Sequence, residues 1–72
     1  MNKKPIVISI ASEYITLGQF LKFADVIETG GEAKIFLAGN KVLINDENDN
    51  RRGRKLRSGD KVEIKGVTYL IK

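Results

Sequence analysis

The chain has 72 residues, with 13 Lys plus Arg against 9 Asp plus Glu for a net charge of +4, and it contains neither cysteine nor histidine. A chain this short reads as one domain, residues 1–72, and buries only about 60% of the surface its unfolded form exposes, which excludes a deep substrate cavity and puts function on the outside. Disulfides, thiolate metal sites and a thiol nucleophile are excluded too, and no apolar run approaches the roughly 20 residues that span a bilayer or has the form of a signal peptide, so a cytoplasmic protein is expected.

With 42% hydrophobic residues the chain has enough apolar material for a folded core. Pro5 precedes Ile6-Val7-Ile8-Ser9-Ile10, where Ile6, Ile8 and Ile10 recur with period two, which predicts a first strand. After Ala11 to Thr16, the residues Leu17, Phe20, Leu21 and Ala24 follow the i, i+3, i+4, i+7 spacing of one buried helix face, and Gln19, Lys22 and Asp25 fall outside it. Thr29-Gly30-Gly31-Glu32 has the form of a capping box, in which a threonine hydroxyl and a glutamate satisfy helix donors reciprocally, so a second helix should begin there. Ala33, Phe36 and Leu37 give that helix a buried face, Lys34 lies beside it, and Gly39 suits the left-handed conformation that ends helices.

Asn40-Lys41 then turns the chain into Val42-Leu43-Ile44, a short strand that runs into the polar loop Asn45-Asp46-Glu47-Asn48-Asp49-Asn50. From Lys61, Val62 and Ile64 alternate with polar neighbours, Lys65-Gly66 makes a turn, and Val67-Thr68-Tyr69-Leu70-Ile71 returns as the last strand of a hairpin. The N-terminal strand needs a partner and this hairpin is the one available. The termini are therefore expected in one antiparallel sheet with both helices on a face of it, an α+β architecture.

Between these elements, Arg51-Arg52-Gly53-Arg54-Lys55-Leu56-Arg57 concentrates five positive charges, and the net +4 less these five leaves −1 for the rest of the chain. Closely spaced guanidinium groups repel one another, so a small domain that keeps them is expected to have an anionic partner, with phosphate the obvious one. The bland alternative is a solvated loop balanced by Asp46, Glu47 and Asp49, but exposed pairs are worth only about 0 to 1 kcal/mol each and do not explain the grouping. Five aromatics could in principle stack on bases. Phe20 and Phe36, spaced with leucines, belong in the core; Tyr14 and Phe23 are the two for which exposure would matter.

The order of these pieces carries a resemblance. A short amphipathic helix, Gly31-Glu32-Ala33-Lys34 opening a second, Gly39-Asn40-Lys41-Val42-Leu43-Ile44-Asn45, and then Leu56-Arg57-Ser58-Gly59-Asp60-Lys61-Val62-Glu63-Ile64 together resemble the S4 RNA-binding domain over about Thr16 to Lys65. Among its members the chain is most similar to the small stand-alone bacterial, YaaA-like proteins. The resemblance implies two short packed helices against a small, mostly antiparallel bent sheet, the αL type. It also implies a helix pair and adjoining loop that grip structured RNA, typically ribosomal, through phosphates and shape, with a role in ribosome assembly.

Carried onto this chain, the second-helix start supplies Thr29, Gly30, Gly31 and Lys34, the following turn Lys41 and Asn45, and the basic loop Arg51, Arg52, Arg54 and Lys55. Glycines at a positive helix end let an anion approach closely, arginine presents a planar fork to phosphate oxygens, and Asn45 offers donor and acceptor to a ribose hydroxyl. The chain departs from the family at Thr16 and Gly18, where many members have arginine and aspartate, at Gly30-Gly31 in place of Ser-Arg, and at Ile44-Asn45-Asp46 in place of Val-Asn-Gly. These departures move the weight of binding from the first helix to Lys34, Lys41 and the basic loop.

Two other binding functions compete with RNA. A protein-interaction adapter would use the basic loop on an acidic partner. DNA binding would be non-specific, because Ala33, Ile35, Phe36 and Leu37 leave the second helix few polar side chains to read base edges. No base, nucleophile or metal set of recognisable spacing is present, so neither an enzyme nor a cofactor, metal or small-molecule substrate is expected. A monomer is the simplest expectation, with no membrane partner.

Overall fold

In the computed structural model, which describes residues 4–72, the elements follow as β1 (Ile6–Ile8), β2 (Ile15–Thr16), α1 (Leu17–Phe23), α2 (Glu32–Gly39), β3 (Val42–Ile44), β4 (Glu47–Asn48), β5 (Lys55–Leu56), β6 (Lys61–Ile64) and β7 (Val67–Ile71). Five strands form a mixed sheet in the order β1-β7-β6-β3-β4, and β2 and β5 make a separate two-stranded ribbon. This is the α+β arrangement expected, two helices with a small, mostly antiparallel sheet.

The apolar spacings explain the core. Leu17, Phe20 and Leu21 from α1 and Ala33 and Leu37 from α2 join Val42, Ile44, Val62, Ile64 and Ile71 from the sheet and Leu56 from the ribbon, all buried. Phe20 meets Tyr69 edge-on at 5.2 Å between ring centroids, the geometry that aromatic quadrupoles prefer. Phe36 is half-buried against the same cluster.

Four expectations are corrected. β1 pairs with β7 in parallel, Ile6 opposite Tyr69 and Ile8 opposite Ile71, so the terminal strands share a sheet but not an antiparallel one. The whole domain forms the crossover between them, which satisfies the need of parallel strands for a long connection. Because β1 is an edge strand, only Ile8 is buried and Ile10 partly so, whereas Ile6 is 47% exposed.

At the start of α2 the capping box does not close: Gly31 takes the N-cap position with no side-chain cap, and the Thr29 hydroxyl donates to the Glu32 carboxylate at 3.2 Å. A closed capping box occurs instead at α1, where Gln19 N donates to Thr16 Oγ1 at 3.3 Å and Thr16 N donates to Gln19 Oε1 at 2.9 Å. Gly39 stays helical, and Asn40 ends α2 in extended conformation while its Nδ2 donates to the carbonyl of Phe36 at 2.9 Å. An asparagine side chain thus does the work assigned to a left-handed glycine.

The acidic stretch is not a plain loop. Asn45 and Asp46 have φ of 52° and 71°, the paired positive values of a tight hairpin turn, and β4 folds back on β3 with Ile44 opposite Glu47. Lys65 and Gly66 form the same kind of turn, φ 51° and 78°, between β6 and β7, as the sequence predicts.

Candidate nucleic-acid interface

The basic loop is anchored on α1 by its backbone. Leu17 N donates to the carbonyl of Arg54 at 2.7 Å and Gly18 N donates to that of Arg52 at 2.8 Å, while Arg54 N closes a turn on the carbonyl of Arg51 at 3.0 Å. The first exposed donors of α1 are thereby used within the protein, Gln19 N being taken by Thr16. The loop packs closely at Gly18, where a Cβ would lie in van der Waals contact with the carbonyl of Arg52 at 3.4 Å and the Ala33 Cβ at 3.6 Å. β5 continues the docking, with Lys55 opposite Thr16 and Leu56 opposite Ile15.

An ion cluster then orders the loop from inside. Asp49, 9% exposed, accepts from Arg51 N at 2.9 Å, Arg51 Nε at 3.1 Å, Arg51 Nη2 at 2.8 Å and Arg54 Nη1 at 3.0 Å. The Arg51 guanidinium, followed by the Arg51 backbone N–H and Arg54, holds this carboxyl well below the usual carboxylate range against the opposing effect of burial, and Arg51 is raised above its own ordinary value in return. The five grouped charges are therefore partly explained by one buried carboxylate. Arg52, Lys55 and Arg57 form no ion pair among the described residues.

Of the residues expected at the site, Gly30 and Arg52 are brought together, with Thr16, Gly18, Lys22 and Gly53, around an open depression of about 470 Å³ between the two helix starts and the loop. Lys34 is exposed on the first turn of α2, next in sequence to Ala33, which lines the same depression. Thr29 and Gly31 are exposed at that helix start. Arg51 and Arg54 line a second depression with Asp49. Lys55 lies over the Tyr14 ring, 5.0 Å from its centroid.

Two residues stand apart. Lys41 lines a separate depression with Leu43, Glu63, Lys65 and Gly66. Asn45 is committed to the fold: its Nδ2 donates to Asp60 Oδ1 at 3.1 Å, and its Oδ1 accepts from Lys61 N at 3.0 Å. Lys22 and Gln19 also line the basic depression, beyond the residues that the resemblance implies, and their position outside the apolar stripe of the first helix is the sequence signal for them. Tyr14 and Phe23 are 37% and 64% exposed.

Among the described residues no group of three or more acidic, His or Cys side chains could hold a metal ion, and no helix is long and apolar enough to cross a membrane. The S4 domain model matches residues 8–72. A Bacillus subtilis (strain 168) protein named "Probable ribosome maturation protein RlbA" is 70% identical over 59 residues, which cover 82% of this chain and 83% of the relative. No solved structure gives a significant match. The match over almost the whole described chain, together with two helices that meet a docked basic loop beside a five-stranded mixed sheet, means that the chain belongs to the S4 domain family.

Proposed function

We propose that this protein is a non-catalytic RNA-binding protein that grips structured RNA, ribosomal RNA above all, through phosphate and shape contacts in the service of ribosome maturation. One observation carries the reading: the basic loop is held by its backbone carbonyls on α1, which leaves the Arg52 side chain beside Lys22 and Gly30 at one open depression. A guanidinium without an internal partner, a lysine and a glycine-lined helix start form a donor set suited to phosphate oxygens. Membership of the S4 family supports an RNA partner, and the name of the Bacillus subtilis relative supports ribosome maturation as the setting.

In this reading Thr29, Gly30, Gly31 and Lys34 meet one stretch of backbone, and Arg51, Arg52, Arg54 and Lys55 the next, with Lys22 between them. Lys41 and Asn45 contribute least, the first by its separate position and the second because its amide is already engaged. The protein acts as a cytoplasmic monomer. About 4 to 6 phosphate contacts imply an affinity loss on the order of a hundredfold between low and moderate salt.

Binding to structured ribosomal RNA fragments, against duplex DNA and single-stranded RNA competitors across a salt series, tests the reading with wild type and a folded Lys22→Glu/Arg52→Glu variant. Preference for structured RNA, weakened in the variant together with part of the salt slope, is the expected result. Equal, weak binding of all three nucleic acids, unchanged in the variant, would sink the reading and leave the loop to an acidic protein partner.

A further inference from the structure

The ribbon of β2 and β5 has two faces. Ile15 and Leu56 turn inward, and the same alternation puts Thr16, Lys55 and their neighbours Tyr14 and Arg57 on the outer face. There the Lys55 Nζ and the Arg57 guanidinium lie 5.0 Å and 5.6 Å from the centroid of the single Tyr14 ring. Two cations drawn to one partly exposed ring repel each other, and an anion between or beside them relieves that repulsion. Beyond the ribbon, α1 presents Gln19 and, one turn later, Phe23, which is 64% exposed and outside the core. Tyr14, Ile15, Gln19 and Phe23, with Ser12 and Glu13, line an open depression of about 610 Å³.

Gln19 also lines the basic depression beside Arg52 and Lys22, so the two hollows share a wall. One is cationic and the other aromatic. We propose that the aromatic depression receives one unpaired nucleobase of the bound RNA, stacked on Phe23 or Tyr14, with Lys55 and Arg57 on the phosphates that flank it. The inference rests on the RNA-binding reading and deepens it, turning a grip on backbone alone into a grip that also needs a bulged or looped-out nucleotide. Charge complementarity favours this occupant over an apolar protein segment, because a nucleotide brings a flat π face and an anion together. Glu13, at the same depression, offers an acceptor to the exocyclic amino group of adenine.

The test compares two RNA hairpins that differ in one group: a bulged adenosine in the first and a bulged abasic nucleotide in the second, with the same number of phosphates. Wild-type protein should bind the adenosine bulge about tenfold more tightly, the scale of one base stacked on an aromatic side chain. Phe23→Ser, at an exposed position, should reduce that preference while leaving the salt dependence and the affinity for the abasic hairpin unchanged, whereas Tyr14→Leu, which also removes the ring under Lys55 and Arg57, should reduce the preference and weaken binding of both hairpins. Tyr14→Phe, which keeps the ring, should retain the preference. Equal affinity of wild type for both hairpins, at a salt-dependent level, overturns the base site and leaves the phosphate grip standing. Failure to bind either hairpin removes the RNA-binding reading and the base site with it.

Discussion

Asp49 shows how one residue changes the meaning of its neighbours. In sequence it is one of several acids in a polar stretch; in the fold it is buried and takes four hydrogen bonds from Arg51 and Arg54. Those two arginines are ordered by it, so they serve the loop's shape as well as its charge. Asp49→Asn keeps the shape and removes the charge, and a loss of about 1 to 3 kcal/mol is expected from leaving charged donors poorly matched. Thermal melting at neutral pH checks it, since each kcal/mol moves the midpoint by about 4 to 8 °C in a domain of this size. The folded carboxyl titrates below the unfolded one, so its contribution is complete above the unfolded value of about 3.9 and is lost as pH falls below that toward the lowered one. The melting gap between wild type and Asp49→Asn should therefore narrow below about pH 4; a gap constant into strong acid would count against a lowered carboxyl.

At the scale of elements, the two helices begin differently and do different work. α1 begins closed, capped by Thr16 and Gln19 and bonded to the loop carbonyls of Arg52 and Arg54. α2 begins with Gly31 and no side-chain cap. Thr16→Ala should cost about 1 kcal/mol by removing a true cap, whereas Thr29→Ala, whose hydroxyl only donates to an exposed carboxylate, should stay within about 0.5 kcal/mol. Equal losses in denaturant titrations of the two variants would contradict this contrast. The backbone of this α1 start also seats the basic loop, through Gly18 N on the carbonyl of Arg52 and the pairing of Thr16 with Lys55.

For the whole molecule, charge asymmetry matters most. The loop carries the entire positive excess, and its backbone docking presents the unpaired part of it on one side of a core built by both helices and the sheet. Because Arg52 and Lys41 belong to different depressions, they should separate in a salt series. Arg52→Gln is expected to lower the slope of log affinity against log salt by about 0.9, one duplex phosphate contact, while Lys41→Gln leaves it within error. Identical slopes for the two variants would mean that the grip extends around the molecule to the β3 and β6 side.

The two helices, the β6–β7 hairpin, β3 and the clustering of basic residues are legible in the sequence, because each depends on spacing or composition within a few residues. Leu17, Phe20 and Leu21 are buried as their spacing requires, and Lys65-Gly66 turns as its residues allow. Only the tertiary structure decided the parallel pairing of β1 with β7, the β2–β5 ribbon, the burial of Asp49 and the meeting of Arg52 with Lys22 and Gly30. Those features join residues far apart in the chain or depend on which side chains the core leaves uncovered. Two-residue strands are too short to show a period, and a carboxylate in a polar run gives no sign that it will be covered. The same logic explains Phe23, an apolar side chain that helical geometry carries out of the stripe of Leu17, Phe20, Leu21 and Ala24 and onto the open face of α1.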